Sequence, residues 1–249
     1  MAAEQHRGGA PATVDAVVFD MGGVFVIPHE DPIGEAIVGA GVALELGSAA
    51  VHRAHYRGVR ALTELLDRQS VAETDPEVWR HYDRAYFLAV GVGEDHIDAV
   101  MAGRQAQRNN GVKGVWRHLL RYNISAFARI AGRLPVAIVT NNDGTAAQQC
   151  ADFGICQVGE GSLPSVAAII DSTTVGVAKP DPRIFEPALA ALGTEAARTL
   201  YVGDTVHADV AGAAAAGMPV VQLDPLDLHG DHDHWRLPDV VALADHLLA

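Results

Sequence analysis

Apolar residues in this chain gather in short runs: VDAVVFD (14–20), PVAIVT (135–140), VAAIID (166–171), TLYVG (199–203) and PVVQL (219–223). Each has the length and β-branched content of a strand buried on both faces. Between most of them the spacing turns helical. TAAQQCADFG (145–154) ends on a glycine stop, and PDPRIFEPALAALG (180–193) carries Pro near its start and Gly at its end. HADVAGAAAAG (207–217) is rich in small residues and can pack close to a sheet, and DVVALADHLLA (239–249) supplies a last helix. The alternation predicts an α/β fold, a doubly wound parallel-sheet (Rossmann-like) core with helices on both faces.

The first two strands break that rhythm, because far more chain separates them than one crossover needs. The intervening segment reads as helical. GSAAVHRAHYRGVRALTELLD (47–67) places Val51, Ala54, Leu62, Leu65 and Leu66 at largely helical spacing. DPEVWRHYDRAYFLAV (75–90) opens with Asp75 as N-cap and Pro76 at the first helical position, and GEDHIDAVMAGRQAQ (93–107) is a third helix. WRHLLRYNISAFARIAG (116–132) is predicted as the helix that returns to the core. The expected organisation is a tail over 1–12, a core made of 13–28 and 116–249, and an all-helical cap over 29–115.

Composition narrows the partners. With 18 Lys+Arg against 31 Asp+Glu the formal net charge is −13, so nucleic acid and anionic lipid are not expected to bind. Two cysteines, Cys150 and Cys156, form neither a disulfide framework nor a zinc spacing, and read as reduced packing residues of a cytoplasmic protein. MAAEQHRGGAPAT lacks the apolar stretch of a secretory signal, and no run is long enough to span a membrane.

Open parallel sheets bind ligands at the carboxyl ends of their strands. Here those ends carry Asp20, then Thr140 with Asn141 and Asn142, then Gly203–Asp204 with Asp209 five residues on; Lys179 follows the 166–171 run. Paired in one sheet, these ends converge carboxylates, an ammonium and a hydroxyl on one crevice. Crowded carboxylates repel, and a bound divalent cation removes the repulsion. An oxygen-only donor set selects a hard ion, and Mg²⁺ takes few protein carboxylates and favours a phosphate oxygen. A free Asp20 oxygen could then attack phosphorus in line.

Together FDMGGV, IVTNN, AKPDPRIF and YVGDTVHADVAGAAAAGM resemble, in order and spacing, the four motifs of the haloacid dehalogenase-like (HAD) superfamily. The likeness covers the whole core, and the insertion resembles the family's helical cap. It implies a Mg²⁺-dependent phosphatase acting on a small phosphorylated metabolite through an aspartyl-phosphate. By the same likeness Asp20 is nucleophile and metal ligand, Thr140 and the Asn141 backbone bind the phosphoryl group, and Lys179 stabilises both charges. Asp204 would hold Mg²⁺, and Asp209 would do so directly or through water. Most family phosphatases carry a second Asp two positions after the nucleophile, as acid and base. Gly22 stands there and keeps only its backbone carbonyl for the metal. Gly22 and Gly23 are further expected to serve a turn of positive φ. Three substitutes for that acid/base stay open: a substrate with a good leaving group, a water that shuttles the proton, or His29, where the chain leaves for the cap. Three rivals stay open: a 2-haloacid dehalogenase, a binding or regulatory protein on a weakened catalytic frame, and a phosphoaspartate signalling module.

Other motifs read as structural. HRAHYRGVR (52–60) is expected to be a solvated helix face, HGDHDHW (229–235) a solvated loop, His207 a loop residue, and Trp79, Tyr82 and Tyr86 cap core. The sequence names neither an oligomeric state nor a pathway.

Overall fold

A computed structural model describes Pro11 and residues 13–69, 75–110 and 114–249. The tail expected over 1–12 lies outside the described residues, Pro11 excepted. Strands and helices follow in the order β1 (Ala16–Phe19), β2 (Val26–Pro28), α1 (Glu30–Gly39), α2 (Ser48–Arg68), α3 (Pro76–Val90), α4 (Ile97–Asn109), β3 (Trp116–Leu119), α5 (Arg121–Ala131) and β4 (Val136–Thr140). Then come α6 (Ala146–Asp152), β5 (Gln157–Val158), β6 (Ser165–Val166), β7 (Ile169–Asp171), α7 (Ser172–Val175), α8 (Glu186–Leu192), β8 (Thr199–Gly203), α9 (Ala211–Ala215), β9 (Val220–Leu223), β10 (Trp235–Leu237) and α10 (Val240–Leu247).

The chain folds as two compact units. One comprises the described residues up to Phe25 together with Leu120–Ala249, the other those within Val26–Leu119. The first is built on a six-stranded sheet of order β10-β9-β8-β1-β4-β7. Every pairing in it is parallel. Both faces are covered, which is why β1, β4 and β8 are apolar and buried at nearly every position. Side chains alternate between the faces. Val18, Val139 and Tyr201 join Ile184, Phe185, Ala188 and Ala213 on one side. On the other, Phe19 meets Phe127 of α5 edge-on, with ring centroids 5.2 Å apart, and Phe25 closes the trio at 5.1 Å from Phe127.

β1 lies between β4 and β8, so the strand order reverses there and its carboxyl end opens on a crevice. Asp20 follows directly, its N–H donating to Val202 O at 2.8 Å.

The second unit holds α1 to α4, with α2 and α3 packed along their lengths. Asp75 caps α3 by accepting from Glu77 N at 2.9 Å, and Gly91 ends that helix at φ 107°. Tyr82 and Tyr86 are buried core, while Trp79 is half-buried. His55 is buried as well, its Nδ1 2.8 Å from the Tyr82 hydroxyl, so the 52–60 run is not the wholly solvated face its charges suggest.

Several local expectations need correction. Residues 116–119 are a strand rather than the start of a helix, because WRHL pairs antiparallel with β2, and α5 begins only at Arg121. The inserted unit is therefore not all-helical, and the units divide at 25/26 and 119/120, inside the segments assigned to the core from sequence. The 166–171 run is split between β6 and β7, the latter alone joining the large sheet. Residues 180–193 form a 3₁₀ turn (Pro182–Phe185) before α8, and 207–217 contain the end of a wide helical turn (Val206–Val210) before α9.

Candidate active site

Lys179 is the centre of the cluster at the strand ends. Its Nζ lies 2.9 Å from Asp20 Oδ1 and 2.6 Å from Asp209 Oδ1, and donates to the Tyr201 hydroxyl at 2.9 Å. The ammonium is only 2% exposed, so three oxygens replace its water. Burial acts to lower its pKa, but Asp20 and Asp209 outweigh burial and raise it, so Lys179 stays charged.

Asp209 organises what surrounds it. Its Oδ2 accepts from Asp204 N (3.1 Å), Thr205 N (2.9 Å) and Thr205 Oγ1 (2.8 Å), while Oδ1 faces Lys179 and the Tyr201 hydroxyl. These donors meet or exceed the roughly four lone-pair sites of a carboxylate. Burial opposes its ionisation, yet Lys179 and the Thr205 hydrogen bonds bring its pKa below the usual value. Gly203 leaves the space: a Cβ there would collide with the Asp209 carboxyl.

Asp20 and Asp204 are the opposite case. Burial pushes Asp20 up to about 7, with Lys179 acting against it and the Asp209 and Asp204 charges adding to it. Asp204 is raised well above its ordinary value, first by burial and then by Asp209. Asp20, Asp204 and Asp209 bring ligand oxygens within 4.8 Å of one another. The chemistry of that set fits a hard divalent cation: oxygen donors, excess negative charge, and two carboxylates held back from ionising by crowding and burial.

Gly23 explains half of the double glycine. It takes φ +65°, and a Cβ on it would overlap the Asp204 carboxylate, so the turn after Asp20 lets that carboxylate lie against bare backbone. Gly22 does not enter the left-handed region, contrary to the expectation for both glycines.

Thr140 ends β4 in register with Asp171 of β7, and is buried. The Asn141 side chain, which sequence reading passed over for its backbone, binds Lys179 twice: Lys179 N donates to Oδ1 (2.9 Å), and Nδ2 donates to Lys179 O (3.1 Å). Asp171 shapes the same loop by accepting from Gly144 N, Ala146 N and Thr173 N at 3.0–3.1 Å. His29 belongs to the other unit, where it caps α1 by accepting from Asp31 N at 3.2 Å. His207 lies within the Val206–Val210 turn.

Tyr201 and Gln222 were also missed. Each is a polar residue inside an otherwise apolar buried strand, and such a group needs a partner. That mismatch is the signal that could have found them. The HGDHDHW tract is not wholly solvated either: Gly230, Asp231 and Asp233 are exposed, but His229 is 2% exposed, and its N–H donates to Asp224 Oδ2 at 2.9 Å.

The family model for haloacid dehalogenase-like hydrolases matches residues 14–217. The phosphoserine phosphatase of Thermus thermophilus is 40% identical over 67 residues, 27% of this chain and 27% of that protein. The glyceraldehyde 3-phosphate phosphatase of Methanopyrus kandleri is 40% identical over 55 residues, 22% of this chain and 24% of that protein. The chain thus spans only about a quarter of the length of these curated relatives. Among solved structures, the magnesium-bound HAD-hydrolase YfnB of Bacillus subtilis superposes with a TM-score of 0.59 at 17% identity, over 95% of this chain and 100% of that one, a likeness of fold. Among the described residues, no helix is long and apolar enough to cross a membrane.

Proposed function

Because the chain belongs to the haloacid dehalogenase-like hydrolase family, we propose that it is a magnesium-dependent phosphatase that hydrolyses a small phosphorylated metabolite through an aspartyl-phosphate on Asp20. The observation that carries this reading is the cluster itself: Asp20 paired with Lys179 at 2.9 Å, beside Asp204 and Asp209, buried at the switch point of the sheet. The phosphatases among its relatives add support over part of the chain.

Asp20, Asp204 and the Gly22 carbonyl are the groups assigned to hold Mg²⁺. The chemistry supplied by the bound ion is neutralisation of phosphoryl charge. Asp209, its lone pairs already engaged, is assigned to hold Lys179 and the 204–205 turn rather than to bind the ion directly. Thr140 and the Asn141 N–H donate to the phosphoryl oxygens, and Lys179 stabilises negative charge on them and on Asp20. An Asp20 oxygen attacks phosphorus as the ester oxygen leaves with a proton. Water then attacks the same phosphorus, phosphate departs, and the carboxylate is restored.

The proton for the leaving oxygen has no side chain at Gly22 to come from. General acid/base help is typically worth ~10²–10⁴ in rate. His29 is the residue proposed to supply it, which requires its Nδ1 to give up the cap contact with Asp31 N as the ring takes up a proton. His29→Ala should slow alkyl phosphates more than aryl phosphates; equal losses on both would remove His29 from the mechanism.

The test of the whole reading is a phosphate-release screen over phosphorylated metabolites, with Mg²⁺ and with EDTA, on the protein and on Asp20→Asn. Release that needs both the metal and Asp20 is expected. Halide release from 2-haloacids in EDTA would favour the dehalogenase instead, and no turnover of any ester would favour a binding protein.

A further inference from the structure

Asp204 is pinned on both sides of its own residue. Its N–H donates to Asp209 Oδ2 at 3.1 Å, a contact within the turn, and its C=O accepts from Gln222 Nε2 at 2.8 Å, from the neighbouring strand β9. Gln222 is fully buried. A primary amide in that slot has two settings, and the flipped one would set Oε1 against the Asp204 carbonyl, acceptor facing acceptor.

His234 decides between them. Its Nε2 lies 2.7 Å from Gln222 Oε1. An amide oxygen only accepts, so the proton of His234 sits on Nε2 and the amide is locked with its NH₂ toward Asp204. Burial, followed by the charge of Arg236, lowers the His234 pKa to about 4, which keeps the ring neutral near pH 7. The ring's place is fixed by the sheet, since Trp235 pairs with Val221 and Arg236 with Gln222. Asp224 folds the chain back toward that pairing by accepting from Leu228 N (3.0 Å) and His229 N (2.9 Å).

We propose that Gln222 and His234 form a buried hydrogen-bond brace that positions the Asp204 carboxylate for its cation. Both are positioning residues, and neither is a ligand. The proposal rests on the magnesium reading above. With its N–H and C=O both held, the Asp204 backbone is fixed and so is the direction in which its side chain leaves, which lays the carboxylate against Gly23. The histidine tract does not itself assemble a metal site: among the described residues, the three side chains with convergent ligand-type atoms are Asp20, Asp204 and Asp209.

The experiment is calorimetric titration of the metal-free protein with Mg²⁺, well below the melting temperature, for the parent chain, Gln222→Leu, Gln222→Glu and His234→Phe, each checked for its fold by circular dichroism. Partners that orient a metal ligand typically govern 10–100-fold in affinity. Gln222→Leu and Gln222→Glu should weaken the Mg²⁺ Kd by about tenfold or more, and His234→Phe, which frees the amide to flip, in the same direction. If Gln222→Leu fails to fold, Gln222→Glu and His234→Phe carry the same comparison. Folded variants that bind Mg²⁺ within about twofold of the parent overturn the brace while leaving the magnesium reading intact, because a merely structural pair would lower the melting temperature without moving Kd. A parent chain that binds no Mg²⁺ overturns both.

Discussion

Asn141 and Lys179 exchange two hydrogen bonds across 38 positions of sequence, Lys179 N to Oδ1 at 2.9 Å and Nδ2 to Lys179 O at 3.1 Å. The backbone of the lysine is therefore set by β4, the strand that also delivers Thr140, so the two phosphate-binding groups proposed here share one support.

Removing that support should cost more in rate than in stability. Asn141→Ala leaves the Lys179 peptide without its side-chain partners, worth about 1–3 kcal/mol. The displaced ammonium should lower kcat by ~10²-fold, the usual penalty for a misplacement near 1 Å. Steady-state kinetics on the best ester from the screen checks this; a kcat within twofold of the parent would sink it.

Gly23→Ala combines two faults, a side chain at φ +65° and an overlap with the Asp204 carboxylate. The backbone fault alone costs about 1–2 kcal/mol. Urea denaturation should register at least that loss, and Mg²⁺ binding should weaken alongside it, because the carboxylate has to move. A variant as stable as the parent would mean that the turn rearranges freely.

Asp20 makes the metal-free protein sensitive to pH. Its pKa is pushed up to about 7 in the folded protein, against about 3.9 for an unfolded Asp. Between those values the folded state holds a proton that the unfolded state has lost. This group's stabilising contribution is full below about pH 4 and is lost as pH rises through about 7, by at most ~1.4 kcal/mol per unit. Denaturation in EDTA at pH 5, 6 and 7 should show a steeper decline for the parent than for Asp20→Asn. For the same reason, Mg²⁺ affinity should rise with pH over that range. Parallel curves for the two proteins would contradict the assignment.

His55 responds in the reverse sense. Burial brings its pKa down to about 3, so the folded state keeps the ring neutral where an unfolded chain, with a value near 6.5, takes up a proton. Its contribution is present above about pH 6.5 and is lost as pH falls, again by at most ~1.4 kcal/mol per unit. His55→Leu should lose the Tyr82 hydrogen bond yet flatten the acid side of the stability profile. The check is the difference in urea midpoint between pH 7 and pH 5 for parent and variant.

What could be read from the chain follows from how each residue is used. Asp20, Thr140, Asp204 and Lys179 stand at strand ends or the adjoining loop, and a parallel sheet brings strand ends together whatever the details of packing. β3 was hidden because Trp116–Leu119 alternates too briefly to stand apart from the amphipathic helix that follows, and its identity depends on β2, a partner remote in sequence. Tyr201, Gln222 and His234 were hidden for a related reason. The bonds of Gln222 and His234 arise only from the register that aligns β8, β9 and β10, and those of Tyr201 only where Lys179, Asp209 and Val139 of β4 meet its hydroxyl. Gly23 was recognised as a turn residue, but what it makes room for, a carboxylate far along the chain, belongs to three-dimensional structure alone.

The antiparallel ribbon has an outcome for how such a chain can change over time. Val26 is the register partner of Leu119, and Leu120 N donates to Phe25 O at 2.8 Å, so the departure and the return of the inserted segment are zipped side by side. A segment whose two ends already touch imposes almost no loop-closure cost on its host, however long it grows. The residues between 26 and 119 thus behave as a graftable cassette: a lineage could lengthen, trade or rewrite them while the sheet-bearing half inherits its geometry untouched.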